Sequence, residues 1–232
     1  VYKRQVNVQL AYVNHQVYLL EVNPRASRTI PFVSKALGIP LARIAARVMA
    51  GKSLEELNFE GVPNIKGFCV KEAVMPFNKF QNVDPILGPE MRSTGEVMGI
   101  GDTFAEAFEK AEVAAGVEIP KTGCAFISVR DTDKQFLSEI ITSLNQEGFK
   151  LIATKGTAKY IKKLGFDVEE INKVVEGRPH IVDELVNDRV CLVINTTQGR
   201  QSIKDSASIR KTALRKKILC TTTMFGADAL VK

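Results

Sequence analysis

The sequence predicts an α/β fold, because short apolar runs typical of strands alternate along it with amphipathic runs typical of helices. Its 232 residues are enough for one or two domains, and a hydrophobic content of 45% can supply their cores. Two parts are visible, with a join near residues 116–123. The alternation is most regular after this join, which predicts a parallel sheet with helices on both faces in the second part.

The first part is predicted to begin with a hairpin and to continue with a helix whose first turn contains Pro40. Two further strand-like runs follow, and Thr103 with Glu106 forms the pattern of a capping box in front of another helix. The predicted elements are a hairpin over 6–22, a helix from 40 to 50, strands over 68–74 and 95–100, and a helix from 104.

In the second part, strand-like runs are each followed by a polar loop and a helical pattern. Ligands of parallel sheets bind outside the carboxyl ends of the strands, which points to Ser128, 154–157 and 195–200. The predicted strands are 124–129, 150–153, 190–194 and 218–222; the predicted helices are 136–144 with Thr132 and Gln135 as caps, one that ends at Gly165, 180–186 and 206–216.

Neither a membrane span nor secretion is indicated. No apolar run approaches the roughly 20 residues of a transmembrane helix, and the first residues lack the pattern of a signal peptide. The four cysteines are scattered and form no CxxC pair, which favours a reducing cytoplasm over a zinc site or a disulfide framework. The first residue falls within an apparent strand, so we expect the chain to be a segment of a longer protein.

The net charge of +6 favours anionic partners. Most basic residues are interleaved with acidic ones, and the densest basic run, 210–217, adjoins an apolar strand. The sequence contains no nucleic-acid motif and no basic stripe with interleaved aromatic residues. An anionic small molecule is therefore the expected partner, and neither nucleic acid nor a membrane is.

Three polar side chains stand where the hairpin's second strand ends. Glu21, Asn23 and Arg25 follow an apolar run at a spacing of two, which places them on one face, and Pro24 stops the ladder. Carboxylate and amide oxygens suit Mg²⁺, and a guanidinium suits phosphate. Gln9 would add a further oxygen if the hairpin turns at Asn14–His15. On its own the pattern also fits an exposed strand end.

Two loops of the second part suit a phosphate. Thr154-Lys-Gly-Thr157 offers hydroxyls, a glycine that permits close approach and a helix N-terminus, although for this turn alone ordinary threonine capping is the more common explanation. The loop 195–200 ends in Arg200 and is also rich in donors. Ser128, Lys134 and Lys173 would converge on these loops if the sheet order permits. Together they predict a phosphorylated small ligand.

Long motifs along the chain resemble the large chain of carbamoyl-phosphate synthases. They are EVNPRASRTIPFVSKALGIPLARIAARVMAGKSL (21–54), VKEAVMPFNKF (70–80), DPILGPEMRSTGEVMGIG (84–101), INKVVEGRPHI (171–181) and VINTTQGR (193–200). The resemblance covers essentially the whole chain. It implies that residues 1–119 are the end of the second ATP-grasp unit and that residues 120–232 are a three-layer α/β/α, methylglyoxal-synthase-like allosteric domain.

The resemblance implies an ATP-dependent ligase, the glutamine-hydrolysing carbamoyl-phosphate synthase of pyrimidine and arginine biosynthesis, in the cytoplasm. Its partners would be the rest of the large chain and a small glutaminase subunit. This segment would complete the site for carbamate phosphorylation, with Gln9, Glu21 and Asn23 as Mg²⁺ or Mn²⁺ ligands, Gln9 and Glu21 also at the ATP, and Arg25 as a catalytic residue. The glycine-rich loop and the lysines that grip ATP are absent from it, so we expect the isolated segment to be inactive.

The resemblance also implies a site for nucleotide monophosphate effectors, with UMP as inhibitor or IMP as activator. The matching positions are Ser128, Lys134, Thr154, Thr157, Lys173, Asn195, Thr196 and Thr197. Glu72 matches an acidic position in relatives that sense ornithine. A second acidic position is expected after the last strand, where this chain has Cys220-Thr221-Thr222, and this difference puts ornithine activation in doubt.

Three other functions compete with this interpretation. The second part could be an active methylglyoxal-synthase-type lyase, but its two phosphate-suited loops contain no carboxylate to act as a general base. A free-standing nucleotide sensor would have no use for the metal-suited residues of the first part. A nucleic-acid binder would lose affinity steeply with salt and would respond poorly to nucleotide monophosphates.

Overall fold

A computed structural model describes residues 6–75, 77, 84–85 and 95–232 of the chain. The chain divides between Cys69 and Val70 into two compact units. This division concerns packing only, and the family boundary expected near residue 119 stays a prediction. Within the described ranges, no helix is both long enough and apolar enough to cross a membrane.

The elements up to residue 74 are two strands, two helices and a third strand. They are β1 (Asn7–Val13), β2 (Gln16–Asn23), α1 (Ile30–Leu37), α2 (Leu41–Met49) and β3 (Phe68–Val74). The predicted hairpin is confirmed, because β1 and β2 pair antiparallel around Asn14 and His15, whose φ angles are 50° and 61°. Two consecutive positive φ angles are the mark of the tight turn that matches strand twist.

The helical region contains one more helix than the sequence predicted. α1 precedes the predicted helix and ends at Gly38, which takes the left-handed conformation with a φ of 68°. Pro40 then caps α2, in agreement with the prediction of a proline at its start. Pro31, in the first turn of α1, is the sequence signal that indicates the start of this helix.

The second unit begins with a small sheet packed on a helix. β3 pairs with β4 (Gly95–Gly101), and α3 (Phe104–Ala114) follows. The predicted cap is confirmed: the Thr103 hydroxyl accepts the Glu106 amide at 3.2 Å, and the Glu106 carboxylate accepts the Asp102 amide at 2.9 Å. Gly99 lets α3 approach β4 closely, since a Cβ there would overlap the carbonyl oxygen of Ala107.

The rest of the second unit is a five-stranded parallel sheet in the order β7-β6-β5-β8-β9. The chain moves outward from β5 to β7 and then returns to the other side of β5, so its direction reverses between β5 and β8. The elements are β5 (Cys124–Ser128), α4 (Leu137–Gln146), β6 (Lys150–Thr154), α5 (Lys155–Lys163), β7 (Glu169–Ile171), α6 (Ile181–Val186), β8 (Leu192–Asn195), α7 (Gly199–Asp205), α8 (Ala207–Lys216), β9 (Leu219–Thr221) and α9 (Met224–Val231).

Two hydrophobic cores lie on opposite faces of this sheet, which confirms the predicted three-layer α/β/α architecture. Ala125 and Ile127 of β5 pack against α4 and α5, whereas Phe126 between them packs against α6 and α8. This alternation follows from the side-chain period of two in a strand. The strands of a parallel sheet with helices on both faces must carry apolar side chains on both faces. The sequence of β5, CAFIS, meets this requirement.

Three details differ from the prediction. Thr132 and Gln135 do not cap a helix; residues Asp131–Phe136 form a 3₁₀ turn, in which the Gln135 amide donates to the Thr132 carbonyl at 3.1 Å. β7 was not predicted, because its sequence Glu169-Glu170-Ile171 has one apolar residue. α9 follows the last predicted strand and packs on α4 and α3.

Replacing Gly99 with alanine is expected to destabilise the second unit by about 1–3 kcal/mol. The new methyl group would overlap the Ala107 carbonyl oxygen and lie 2.7 Å from the Ala111 amide nitrogen, and backbone atoms cannot rotate away. Urea unfolding of the 232-residue chain measures the loss. Gly95→Ala in the same strand is the matched control, because its methyl group meets no described atom within 4 Å. Equal losses in both variants would contradict the packing described.

The stability of the second unit is expected to fall as the pH rises from 5 to 8, because burial and, to a smaller degree, the Glu72 carboxylate raise the pKa of Glu112 to about 7 from 4.5. Folding then favours the protonated acid, so its contribution is complete below pH 4.5 and is lost as the pH passes 7. Glu112→Gln should remove this dependence and raise the unfolding free energy at pH 8 by about 1–2 kcal/mol, a value reduced for partial exposure. Urea unfolding at both pH values tests this; a parallel fall in wild type and variant would refute it.

Candidate functional site

A cavity of the second unit opens at the carboxyl ends of β5, β6 and β8 and has a volume of about 370 Å³. It lies where the chain direction reverses between β5 and β8, the position at which parallel sheets bind ligands. Ser128 and Asn195, the last residues of these two strands, are direct partners in the ladder. Thr154 ends the strand on the other side of β5. The strand ends thus lie side by side.

The structure brings all the residues predicted for a nucleotide to this one cavity. Thr154 and Asn195 both lie at the carboxyl edge of the sheet, so the loops that follow their strands can contact one ligand. The eight predicted residues that line the cavity are Ser128, Lys134, Thr154, Thr157, Lys173, Asn195, Thr196 and Thr197.

Threonine hydroxyls hold the backbone that follows β5. Thr157 accepts the amide of Val129 at 3.2 Å, and Thr196 accepts the amide of Arg130 at 3.1 Å. The Ser128 and Thr154 hydroxyls lie 3.1 Å apart. The oxygens of Thr157 and Thr196 therefore position the loop, and each of their hydroxyl protons stays available to donate to a ligand.

Two groups of hydrogen-bond donors at the cavity lack a side-chain acceptor: the Asn195 side-chain amide and the backbone amides in the first turn of α5. The Asn195 side chain is 2% exposed, and its Nδ2 has no hydrogen-bond partner among the described residues. The Thr154 side chain, at the N-cap of α5, does not accept from the first turn of that helix. A buried amide without an acceptor is costly, and a helix N-terminus favours an anion, so both groups fit an anionic ligand.

Two lysines add positive charge. Lys134 lies over the start of α5, where its Nζ would be 3.5 Å from a Cβ at Gly156, and it pairs with Asp131 at 2.7 Å. This hydrogen bond, with the charges of Lys134 and then Lys173, holds the pKa of Asp131 below its ordinary value. Asp131 is largely exposed, so an anion that enters the cavity can take its place beside Lys134 at little cost.

Several lining residues were missed by sequence reasoning, because they lie on helical turns and not directly after strands. The polar ones include Asp131 and, at the junction of α7 and α8, Asp205 and Ser206. The predicted loop 195–200 is shorter than expected, since α7 begins at Gly199, and the side chain of Arg200 lies outside the described part. An apolar wall is formed by Val174, Val175, Ile181 and Ile209.

In the first unit, the three predicted metal ligands converge. The Glu21 Oε1 accepts the Gln9 side-chain amide at 2.6 Å and the Asn23 side-chain amide at 2.8 Å. Gln9 and Glu21 face each other in the ladder, and Leu20 is left over in a bulge beside them. Because an amide oxygen and nitrogen exchange places by a half-turn, the same side chains can present three oxygens to one ion. This donor set fits a hard cation such as Mg²⁺.

Arg25 does not share the strand face of Glu21 and Asn23, contrary to the alternation predicted. β2 ends at Asn23, and the Arg25 amide donates to the Asn23 carbonyl at 2.8 Å in a turn. Pro24 causes this turn, because it cannot donate to a ladder. Arg25 is exposed. The position of the Arg25 guanidinium therefore depends on this turn and not on the alternation of side chains in β2.

The remaining predicted residue, Glu72, lies in β3, away from the lining of the cavity. Its carboxylate acts on Glu112 of α3 and helps to raise the pKa of that acid to about 7. Thr221, at the predicted departure from the acidic pattern, ends β9 and donates to the Thr223 carbonyl at 3.2 Å.

Comparison with protein families assigns both parts of the chain. Residues 1–57 match the family described as "Carbamoyl-phosphate synthase L chain, ATP binding domain", and residues 137–222 match the "MGS-like domain". The chain is 60% identical over 227 residues to the carbamoyl phosphate synthase large chain of Pseudomonas syringae pv. tomato. The proteins of the same name from Pseudomonas aeruginosa and Vibrio vulnificus are 58% and 53% identical.

These alignments cover 97% of the chain but 21% of each relative, so the chain spans about a fifth of the length of the curated relatives it matches. The predicted resemblance is confirmed by the family matches and by these identities. The chain belongs to the carbamoyl-phosphate synthase large-chain family, as a C-terminal part that joins the end of an ATP-grasp domain to a methylglyoxal-synthase-like domain.

Proposed function

We propose that residues 120–232 bind a nucleotide monophosphate effector, UMP or IMP, that regulates carbamoyl-phosphate synthesis for pyrimidines and arginine. The observation that carries this proposal is the cavity at the β5/β8 strand ends, where hydroxyl, amide and ammonium donors converge. Its volume of about 370 Å³ is in the range of small-molecule sites. Nucleic-acid and membrane partners are not part of the proposal.

The cavity is lined by both charged or polar and apolar side chains, as a nucleotide requires. Lys134, Lys173, the start of α5 and the Asn195 amide suit the phosphate, because each is a donor and two carry full charge. Val174 and Ile209 belong to the apolar wall and suit the nucleoside. A bare phosphate would leave this apolar wall unused.

We further propose that the first part completes the site for carbamate phosphorylation in the full-length large chain. Gln9, Glu21 and Asn23 would hold Mg²⁺ or Mn²⁺, with Gln9 and Glu21 also near the ATP. When bound, the metal would offset the charge of the phosphate oxygens. Glu21 keeps the two amides in place around its own carboxylate, and the exposed Arg25 guanidinium supplies a further positive charge.

The proposed partners are the rest of the large chain and a small glutaminase subunit, in the cytoplasm. Glu72 is the proposed contact for an ornithine ammonium group. Burial and the Glu72 charge raise the pKa of Glu112 to about 7, so this second carboxyl is only partly ionised at neutral pH and does not replace the acid missing at Thr221.

A second candidate function is that of a triose-phosphate lyase, because the cavity contains two carboxylates that the phosphate-suited loops lack. Asp131 is a poor general base, since Lys134 lowers its pKa. Asp205 accepts the Gln201 amide at 2.8 Å. Methylglyoxal release from dihydroxyacetone phosphate by the 232-residue chain would favour the lyase over an effector site.

Lys173→Ala is expected to weaken UMP or IMP binding at least tenfold, because a hydrogen bond to a charged group contributes about 1.5–3 kcal/mol. Isothermal titration of each nucleotide into the 232-residue chain measures the dissociation constant. Lys163→Ala, which removes an exposed lysine at the end of α5, is the matched control and should leave it unchanged. If wild type binds and Lys173→Ala binds equally well, Lys173 does not belong to the site; if wild type binds neither nucleotide, the proposed function is wrong.

The 232-residue chain alone is expected to make no carbamoyl phosphate from ATP, bicarbonate and ammonia, because it carries only one strand pair of the nucleotide site. In the full-length large chain, Glu21→Gln should lower the rate about a hundredfold or more, since the charged member of the donor set is lost. Glu55→Gln, at an exposed site of the same unit, serves as control. Turnover by the segment, or a near-normal rate in Glu21→Gln, would contradict the assignment.

A further inference from the structure

Arg210 is a buried cation that ties two distant stretches of the second unit. Its side chain is 3% exposed, and its Nε and Nη2 donate to the two carboxylate oxygens of Asp84 at 2.8 and 2.7 Å. Nη2 also donates to the Ile203 carbonyl at 2.8 Å. The planar guanidinium fixes the direction of each bond, so Arg210 holds Asp84 and the end of α7 in one arrangement.

The helices that carry this ion pair also form one wall of the nucleotide cavity. Ser202 and Asp205 of α7 and Ile209 of α8 line the cavity. Arg210, the neighbour of Ile209, binds Asp84 and also donates to the carbonyl of Ile203 in α7. The turn of α8 that contains Ile209 and Arg210 therefore contacts both the cavity and Asp84, and its bond to Ile203 ties α7 to it. A shift of this turn on ligand binding must move Asp84 or break its hydrogen bonds.

Asp84 is 126 positions from Arg210 and belongs to the stretch between β3 and β4, the strands that carry Glu72 and Gly99. The family boundary proposed near residue 119 separates the two partners. The ion pair thus joins the part proposed to belong to the ATP-grasp unit to the domain that holds the cavity, through a buried guanidinium and a carboxylate that is 27% exposed.

We propose that the Asp84–Arg210 pair couples occupation of the nucleotide cavity to the ATP-grasp part of the chain. This inference rests on the proposed nucleotide site. A ligand shifts a conformational equilibrium only through contacts that differ between two states. The α7–α8 turns supply such contacts, and the ion pair passes their position to Asp84.

The test uses the full-length large chain with ammonia as nitrogen donor, and UMP and IMP as probes. The coupling factor is the ratio of half-saturating ATP concentrations with and without saturating nucleotide, and such factors are typically about 5–150-fold. Asp84→Asn keeps the size of the side chain but loses its charge and one acceptor. We expect it to reduce the factor to less than about twofold, with nucleotide affinity and basal rate unchanged. Arg210→Lys, which keeps the charge but loses the fork, should give an intermediate value.

Asp188→Asn is the matched control. Asp188 pairs at 2.8 Å with Lys216 of α8, the helix that also carries Arg210, and both partners lie in the second part of the chain. This substitution should leave the coupling factor at the wild-type value. A wild-type factor in Asp84→Asn would overturn the proposal, and so would a loss of nucleotide affinity, because the pair would then merely maintain the cavity. If the wild-type chain binds neither nucleotide, the proposed function fails and this inference with it; if it binds but shows no coupling, this inference alone fails.

Discussion

The parallel pairing of β5 with β8 is the constraint on which the candidate nucleotide site depends. Because Ser128 and Asn195 are partners in the ladder, the loops that follow both strands emerge side by side. The next strand on the β5 side ends at Thr154, so three polar strand ends meet at one edge. The hydrogen bonds that Thr157 and Thr196 accept from the backbone after β5 then lock these ends together.

The site contains a buried polar group, the Asn195 side-chain amide, that has no protein partner among the described residues. An unpaired buried donor such as the Asn195 amide costs about 1–3 kcal/mol, and the two cores on either side of the sheet must offset this cost. A ligand that accepts from this amide recovers the lost hydrogen bond. The same donors attract any anion, so selectivity must come from the apolar wall that includes Val174 and Ile209. Affinity and selectivity are thus assigned to different residues of one cavity.

Residues directly after strands were predictable from the sequence, whereas residues brought in by helix packing were not. Ser128 and Asn195 follow apolar runs, and parallel strands align their ends whatever the rest of the fold does. Asp205 and Ile209 reach the cavity because α8 packs on α6 and β9 and α7 packs on α8, and Asp84 reaches Arg210 across 126 positions. No periodic signal marks such contacts. The prediction that Arg25 shares a face with Glu21 and Asn23 was wrong for a local reason, because the alternation of side chains ends with β2 at Asn23.

The metal-suited cluster illustrates how far a short segment can determine chemistry. The β1–β2 hairpin alone places Gln9 and Asn23 around Glu21, because cross-strand pairing and the side-chain period fix their positions. Burial is a different matter, because Leu19 and Leu20 of β2 are 62% and 63% exposed. Since a water-excluded setting is what strengthens charge interactions, the exposed hairpin supplies the geometry of the proposed ligands without that strengthening.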